Sequence, residues 1–388
     1  MGLSRYLDSM SEKEGVTACA PIEVGRRLRH ARERCGFKQG EVCIATGIGE
    51  SSLSDFERGK RSPSLDQLSA LAAHYDRPLG FFFEEGEPAL EVVLWRERPA
   101  SGAEKCESEF RQDCRRYRDL EVWCKDESPC ALPEPHRDSR SPDFRWAEDL
   151  AFKVRNELRL GDRPALTLLQ GLEEDCGVKV FHREFEPTGT AACSIDPYFG
   201  AGVLLNAKST QRRRNFDLAH ELFHLVTWKL FRTSSPANNT KHEEQLADKF
   251  ASTLLLPEEG VRSAVTRRCE GDRLSLPAVF DIAREFEVSV EALLWRLHWI
   301  FNWSDSDRTK ELIGKAKLQA RIFEKPAREE TTVPARPPRF HALAVKALRN
   351  GEISVGRFAE YLGISRREAM TYLEEESGAS EAIELSPS

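Results

Sequence analysis

Residues Phe216–Leu225 read Phe-Asp-Leu-Ala-His-Glu-Leu-Phe-His-Leu, and no other stretch narrows the possible folds as far. His220 and His224 are four apart. At 3.6 residues per turn a helix sends both imidazoles from one face, where they can bind one metal ion. Glu221 stands beside the first histidine, within reach of a water at that ion without being a ligand. A zinc held by neutral imidazoles with one open position lowers the pKa of water to about 7, which yields a nucleophile at neutral pH. Leu218, Ala219, Leu222, Leu225 and Val226 supply the apolar flank that buries such a helix in a globular domain.

A third donor is found downstream. Residues 242–257 run His-Glu-Glu-Gln-Leu-Ala-Asp-Lys-Phe-Ala-Ser-Thr-Leu-Leu-Leu-Pro, a helical pattern with Leu246, Phe250 and Leu254 in one stripe and Pro257 ending it. Glu244 and Asp248 share a second face. Glu244 can complete a His2Glu zinc site, and Asp248 can accept the outer N–H of a ligand imidazole and fix its tautomer. Glu243 lies about 100° away around the helix and is the weaker ligand. The alternative reading is a solvated charge run. Upstream, Phe144–Leu158 is an amphipathic helix and Leu166–Cys176 a second, ended by Gly177. Strands are expected at Val178–Phe181, around Ala191–Ile195 and at Gly202–Asn206, with Asn215 as N-cap of the metal helix. Val279–Phe286 and Val290–Leu297 give two closing helices.

Gly177-Val178-x-Val180, the strand ending Leu205-Asn206, Arg213-x-x-Phe216-Asp217-Leu218-Ala219-His220-Glu221-Leu222-Phe223-His224 and Glu244-x-x-Ala247-Asp248-x-Phe250-Ala251-x-x-Leu254-Leu255-x-Pro257 together resemble the ImmA/IrrE-type metallopeptidases. The likeness spans about residues 145–300. It implies a zincin-like α+β domain with a small sheet, zinc ligands at His220, His224 and Glu244, and Glu221 as general base. It also implies a protein substrate, often a helix-turn-helix repressor, whose cleavage releases stress or mobile-element genes. Phe223 stands where glycine is common in the pentapeptide, which is expected to narrow the space beside the metal. Tyr198, His182, His242 and His298 are the candidate oxyanion donors, and none is singled out.

Nearer the N-terminus, Ile22, Leu28 and Ala31 recur at helical spacing among Arg26, Arg27, Arg29, Arg32 and Arg34, and Gly36 stops the helix. A short helix follows from about Gln39, a turn at Gly47, and another helix from about Ser51. Gly47 suits a left-handed turn, and Ile48 plugs the space between the helices. Leu65, Leu68, Leu71 and Ala72 continue the core, and Pro78 ends it. Gln39, Val42, Gly47, Ile48, Ser52, Leu53, Ser54, Glu57, Gly59, Lys60, Arg61, Pro63 and Leu65-x-x-Leu68 make residues 22–85 similar to the phage-repressor-like (XRE, Cro/C1-type) helix-turn-helix family. By that likeness the second helix of the motif enters the major groove of double-stranded DNA. Glu50, Ser51, Ser52 and Asp55 would then face bases, while Gln39, Lys60 and Arg61 hold phosphates. Lys38 replaces the usual Ser or Thr cap, which weakens the start of its helix. The alternative is a five-helix domain used only for dimerisation. The basic excess over residues 22–62 is modest, so specific DNA binding calls for a homodimer.

A chain of 388 residues with net charge −7 is long enough for two or three domains and is not a generally basic nucleic-acid coat protein. No apolar run approaches the ~18 residues a membrane helix needs, and no signal pattern opens the chain. Ten cysteines without a C-x-x-C pair read as reduced thiols of a cytoplasmic protein. The expected fold is multi-domain and mainly α. It comprises an all-α helix-turn-helix domain (22–85), a helical connector and hinge (86–143), the metallopeptidase domain (144–303), a linker (304–338) and a helical C-terminal unit (339–375). That last unit mimics a second helix-turn-helix at Leu362-Gly363-Ile364-Ser365 or serves as a docking element. Residues 1–20 and the acidic tail from Gly378 are expected to be loosely held. The function expected is a DNA-binding regulator carrying a zinc-dependent endopeptidase. The alternative is a regulator without enzymatic activity whose metal site is sensory or structural.

Overall fold

The structure, a computed structural model, describes residues 21–75, 77, 79–83, 92–126, 131–135, 142–187, 190–232, 240–271, 273–323 and 333–378. Residues 1–20, Pro78, most of the hinge at 127–142 and the tail beyond Gly378 lie outside the described residues. The chain divides into two compact units, one of Met1–Leu90 with Glu104–Gln112, the other of Glu91–Ala103 with Asp113–Ser388.

In the first unit, α1 (Pro21–Arg34), α2 (Gln39–Thr46), α3 (Glu50–Glu57) and α4 (Leu65–His74) enclose Leu28, Val42, Leu53, Phe56, Leu68 and Leu71. Gly47 closes α2 with φ 71° and donates its N–H to Cys43, and Ile48 is buried as the expected plug. Lys38 offers no side-chain cap, but the Glu41 carboxylate accepts its backbone N–H at 2.7 Å, so one orphan donor is met from inside the helix. Gly25 has a packing reason to lack a side chain. A Cβ there would sit 2.3 Å from the Phe56 carbonyl, because α1 and the end of α3 touch backbone to backbone.

The second unit is built on a four-stranded sheet in the order β1-β3-β4-β2. Its strands are β1 (Leu94–Trp95), β2 (Lys179–Arg183), β3 (Ala191–Asp196) and β4 (Gly200–Asn206). β2 and β4 are parallel, while β3 runs antiparallel to both β4 and β1. Three strands were expected; the edge strand β1 was not, since two residues carry no alternation signal. Asp113–Cys124 of helix α5 (Ala103–Cys124) belongs to this unit, and α6 (Phe144–Glu157), α7 (Gln211–Val226), α8 (Trp228–Arg232) and α9 (Lys241–Leu255) follow in chain order. Ala147, Val154, Leu218, Leu222, Leu246 and Phe250 share one core with Val180, Cys193, Val203 and Leu205 of the strands. Full burial of each large apolar side chain is worth roughly 1.5–3 kcal/mol, so this core dominates the stability of the unit.

Three expectations are corrected. The N-cap of α7 is Thr210, whose hydroxyl accepts the Arg213 N–H; Asn215 lies inside the helix and donates to the Glu287 carbonyl. Leu166–Cys176 is not one helix. A 3-10 turn at Pro164–Leu166 precedes a continuous helical run over Leu168–Asp175, which passes from α to π hydrogen bonding at Gly171 without leaving the right-handed region. The stretch expected to be linker holds α13 (Ser306–Phe323), whose Ile313 and Ala316 are buried in the same core. Its short apolar stripe is hidden in the sequence by dense charge.

α10 (Glu258–Thr266), α11 (Leu276–Glu285) and α12 (Val290–Ile300) precede α13, and α14 (Pro338–Arg349), α15 (Val355–Leu362) and α16 (Arg366–Gly378) end the described chain. The last three keep a left-handed turn at Gly363, yet they are docked. Phe340 meets Tyr117 at 5.4 Å and Phe181 at 6.0 Å between ring centres, and Arg339 pairs with the buried Glu121 at 2.8 Å. Among the described residues all the cysteines are free thiols, and no helix is long and apolar enough to cross a membrane.

Candidate metal centre

Helix α7 is enclosed over Asp217–Val226, which places polar His220, Glu221 and His224 where only functional or paired groups belong. Helix α9 starts at its cap Thr240, so that Glu243, Glu244 and Asp248 lie in its first two turns beside α7. His220 Nε2 is 3.1 Å from Glu244 Oε2, His224 Nε2 is 3.4 Å from Glu244 Oε1, and the two Nε2 atoms are 3.3 Å apart. One donor atom from each residue falls within 4.8 Å of the others. Lone pairs at these separations repel unless a proton or a cation lies among them. The pKa directions agree. Burial alone would lower that of His224, but hydrogen bonds to Glu243 and Glu244 outweigh it and raise it to about 9. Burial would raise that of Glu244, yet its hydrogen bonds with His220 and His224 hold it far below the usual carboxylate range.

The outer nitrogens are held as well. His220 Nδ1 lies 2.9 Å from Asp248 Oδ1, and His224 Nδ1 lies 3.1 Å from Glu243 Oε1. An ionised carboxylate only accepts, so both Nδ1 atoms carry a proton, and both Nε2 atoms face Glu244 as the positions left for a metal. Each carboxylate in turn meets an arginine. Arg96 Nη2 is 2.9 Å from Asp248, and Arg232 is bonded to Glu243. Arg96 also reaches Asp217, a buried side chain paired with Arg213 at 2.9 Å, whose pKa burial pushes up to about 6.

Glu221 is 1% exposed, and neither carboxylate oxygen has an N–H or O–H partner. Such a group costs about 1–3 kcal/mol, so its retention marks a place where chemistry rather than stability is served. The Cys193 thiol of β3 lies against it; burial, with the Glu221 charge adding, pushes that thiol's pKa well above its ordinary value. A His2Glu donor set beside a buried carboxylate that no N–H or O–H satisfies fits a divalent metal with an open position.

The four residues expected at the centre, His220, His224, Glu244 and Asp248, are brought together. Glu243 lies instead at the outer nitrogen of His224. Arg96 had no such signal, lying 121 residues before Asp217. The Phe223 ring is fully buried among Trp146, Phe231 and Phe250, and it stands 5.6 Å from the His224 ring. The oxyanion candidates have other surroundings. The Tyr198 hydroxyl donates to Asp119, His242 is exposed and bonded to the Pro142 carbonyl, and His298 pairs with Thr309. His182 is buried in β2 with its pKa lowered by burial to about 4.

In the first unit, Glu50 and Ser51 are exposed on the first turn of α3, Ser52 and Asp55 are half-buried on the same helix, and Lys60 and Arg61 are exposed just beyond it. The Lys60 and Arg61 N–H groups donate to the Asp55 carbonyl, which fixes that turn. Gln39 differs: its amide donates to Glu57 at 2.7 Å, beside the Arg32–Glu57 pair.

With this geometry in hand, comparison with known proteins gives two family matches. Residues 173–298 match the model described as the IrrE N-terminal-like domain, and residues 23–79 match that of a helix-turn-helix domain. The HTH-type transcriptional regulator ImmR of Bacillus subtilis (strain 168) is 36% identical over 55 residues, 14% of this chain and 43% of that protein. The HTH-type transcriptional regulator DdrOP3 of Deinococcus deserti is 37% identical over 54 residues, 14% of this chain and 42% of that protein. The chain thus spans less than half the length of these curated relatives. The crystal structure of Bacillus thuringiensis PlcR in complex with the peptide PapR7 and DNA covers 94% of this chain and 99% of that one at 12% identity, but its TM-score of 0.16 carries no argument. The chain therefore joins an N-terminal helix-turn-helix domain to an IrrE-like domain in a mainly helical, multi-domain fold.

Proposed function

We propose that this chain is a transcriptional regulator whose first domain binds double-stranded DNA and whose IrrE-like domain is a zinc-dependent endopeptidase. Its substrate is a protein, a helix-turn-helix repressor or a bound partner, cleaved in a stress or mobile-element response. The observation that carries this reading is the convergence of His220, His224 and Glu244 beside the buried carboxylate of Glu221, which has no N–H or O–H partner.

A zinc ion held by those three residues would supply Lewis-acid polarisation of a peptide carbonyl and of water. Glu221 is the general base: its carboxylate accepts a proton from the attacking water and passes it to the departing amide nitrogen. Asp248 and Glu243 keep both histidines in the tautomer that presents Nε2. On the DNA side, Glu50, Ser51, Ser52 and Asp55 serve as base-facing residues and Lys60 and Arg61 as phosphate contacts, with Gln39 joining them on release from Glu57. A homodimer would double the modest basic footprint, and a cytoplasmic location belongs to the same reading.

The test pairs metal content with cleavage. Wild type should carry zinc, and His220→Ala and Glu244→Ala should lose it. Glu221→Gln should keep zinc while cutting candidate helix-turn-helix repressors at least about 100-fold more slowly. Zinc retained by wild type, with every tested repressor uncut by both wild type and Glu221→Gln, would favour a sensory or structural metal site.

A further inference from the structure

We propose that Arg96 is a positioning residue of the metal centre: it holds Asp248 in the orientation that keeps the His220 proton on Nδ1 and Nε2 turned toward the ligand cluster. The inference rests on the metal-centre reading above and extends it to a residue outside the stretch 173–298 that matches the IrrE domain.

The backbone around Arg96 is fastened on both sides. Leu94 and Trp95 pair with Cys193 and Ala192, and the Arg96 N–H donates to the Ala191 carbonyl at 3.2 Å. The Glu97 N–H donates to Thr190 Oγ1 at 2.9 Å, that hydroxyl donates back to the Glu97 carbonyl, and Ser194 Oγ donates to the Val92 carbonyl. The side chain is aimed as firmly. Its Cζ stands 5.6 Å from the centre of the Phe216 ring, Nη1 is 3.4 Å from Asp217 Oδ1, and Nη2 is 2.9 Å from Asp248 Oδ1. One planar fork therefore ties α7, which carries both histidines, to α9, which carries Glu244.

The geometry also shows why such a clamp is needed on this side. Two relays of the same order flank the centre, His224–Glu243–Arg232 and His220–Asp248–Arg96. The first is sealed, with the arginine 7% and the glutamate 3% exposed. In the second, the Asp248 side chain is 48% exposed, so water competes for its oxygens. Arg96 offsets this because its other arm is anchored on the buried Asp217. An ordinary surface ion pair would be worth up to about 1 kcal/mol and would leave His220 unaffected.

The test compares wild type, Arg96→Ala, Arg96→Lys and Arg232→Ala as full chains. The readouts are the ring 15N shifts of His220 without metal, zinc affinity by competition with a chromophoric chelator, and melting temperature. Arg96→Ala should give a mixed His220 tautomer and zinc affinity lower by roughly 10–100-fold, at a melting temperature close to wild type. Arg96→Lys should recover part of the loss, since an ammonium keeps the charge but not the fork. Arg232→Ala should lower the melting temperature, because it strands the buried Glu243. Wild-type His220 shifts and zinc affinity in Arg96→Ala would overturn the proposal and leave the metal-centre reading standing. Should wild type take up no zinc, that reading fails, and the His220 tautomer in Arg96→Ala still decides this one. If Arg96→Ala does not fold, the same two readouts on Arg96→Lys decide it.

Discussion

Glu173 is 7% exposed, and burial, only partly offset by Arg339, raises its carboxyl to a pKa of about 8. The folded state thus binds a proton that the unfolded chain releases near pH 4.5. Its stabilising effect is fully present below that value and is lost as pH rises through about 8. Replacing Glu173 with Gln removes the titration, and should raise stability at pH 8 by about 1–3 kcal/mol with little change at pH 4. Urea denaturation of both proteins across that range checks this, and parallel curves would refute it. Individual side chains were legible in the sequence to different depths. Helical spacing puts His220 with His224 and Glu244 with Asp248 on shared faces, while the meeting of the two pairs is what the family resemblance implied. The solitary burial of Glu221 and the pairing of Glu243 with His224 depend on how α7 and α9 abut, and spacing within one helix carries no information about that.

At the level of elements, α7 shows how a residue inside a motif can also serve the core. Phe223 sits inside the pentapeptide, yet it is a core residue, 5.6 Å from the Phe250 ring and about as close to Phe231 and Trp146. Phe223→Ala should therefore cost about 3–5 kcal/mol of unfolding free energy while the folded fraction keeps its zinc affinity. Chemical denaturation alongside metal titration separates the two effects; an intact stability with weakened zinc binding would reverse the assignment. Long amphipathic helices such as α6 and α9 were readable because their stripes outweigh local exceptions. β1 and α13 were not, one being too brief to show a period and the other masking a few apolar residues with charge. The cap at Thr210 rather than Asn215 shows the same limit, since both are good caps and only the packed helix chooses between them.

For the whole molecule, the position of β1 makes the matched stretch 173–298 insufficient by itself. A fragment beginning at residue 144 lacks β1 and Arg96, so the outer edge of β3 is left unpaired and Asp217 and Asp248 lose a shared cation. Open edges invite pairing between copies. Such a fragment should self-associate on size-exclusion chromatography and bind zinc roughly 10–100-fold more weakly than the full chain. A monomeric fragment with full affinity would show that β1 is dispensable. The separation of these parts along the chain also has a meaning in time. Asp248 leaves the ribosome 152 residues after Arg96, an interval of roughly 8–30 s at ordinary elongation rates. Through that interval the helices of the first domain have already been synthesised and can fold as a unit. The helix-turn-helix domain can thus fold before the candidate metal centre is complete, since β1 must await β3 and Arg96 must await the two helices it ties together.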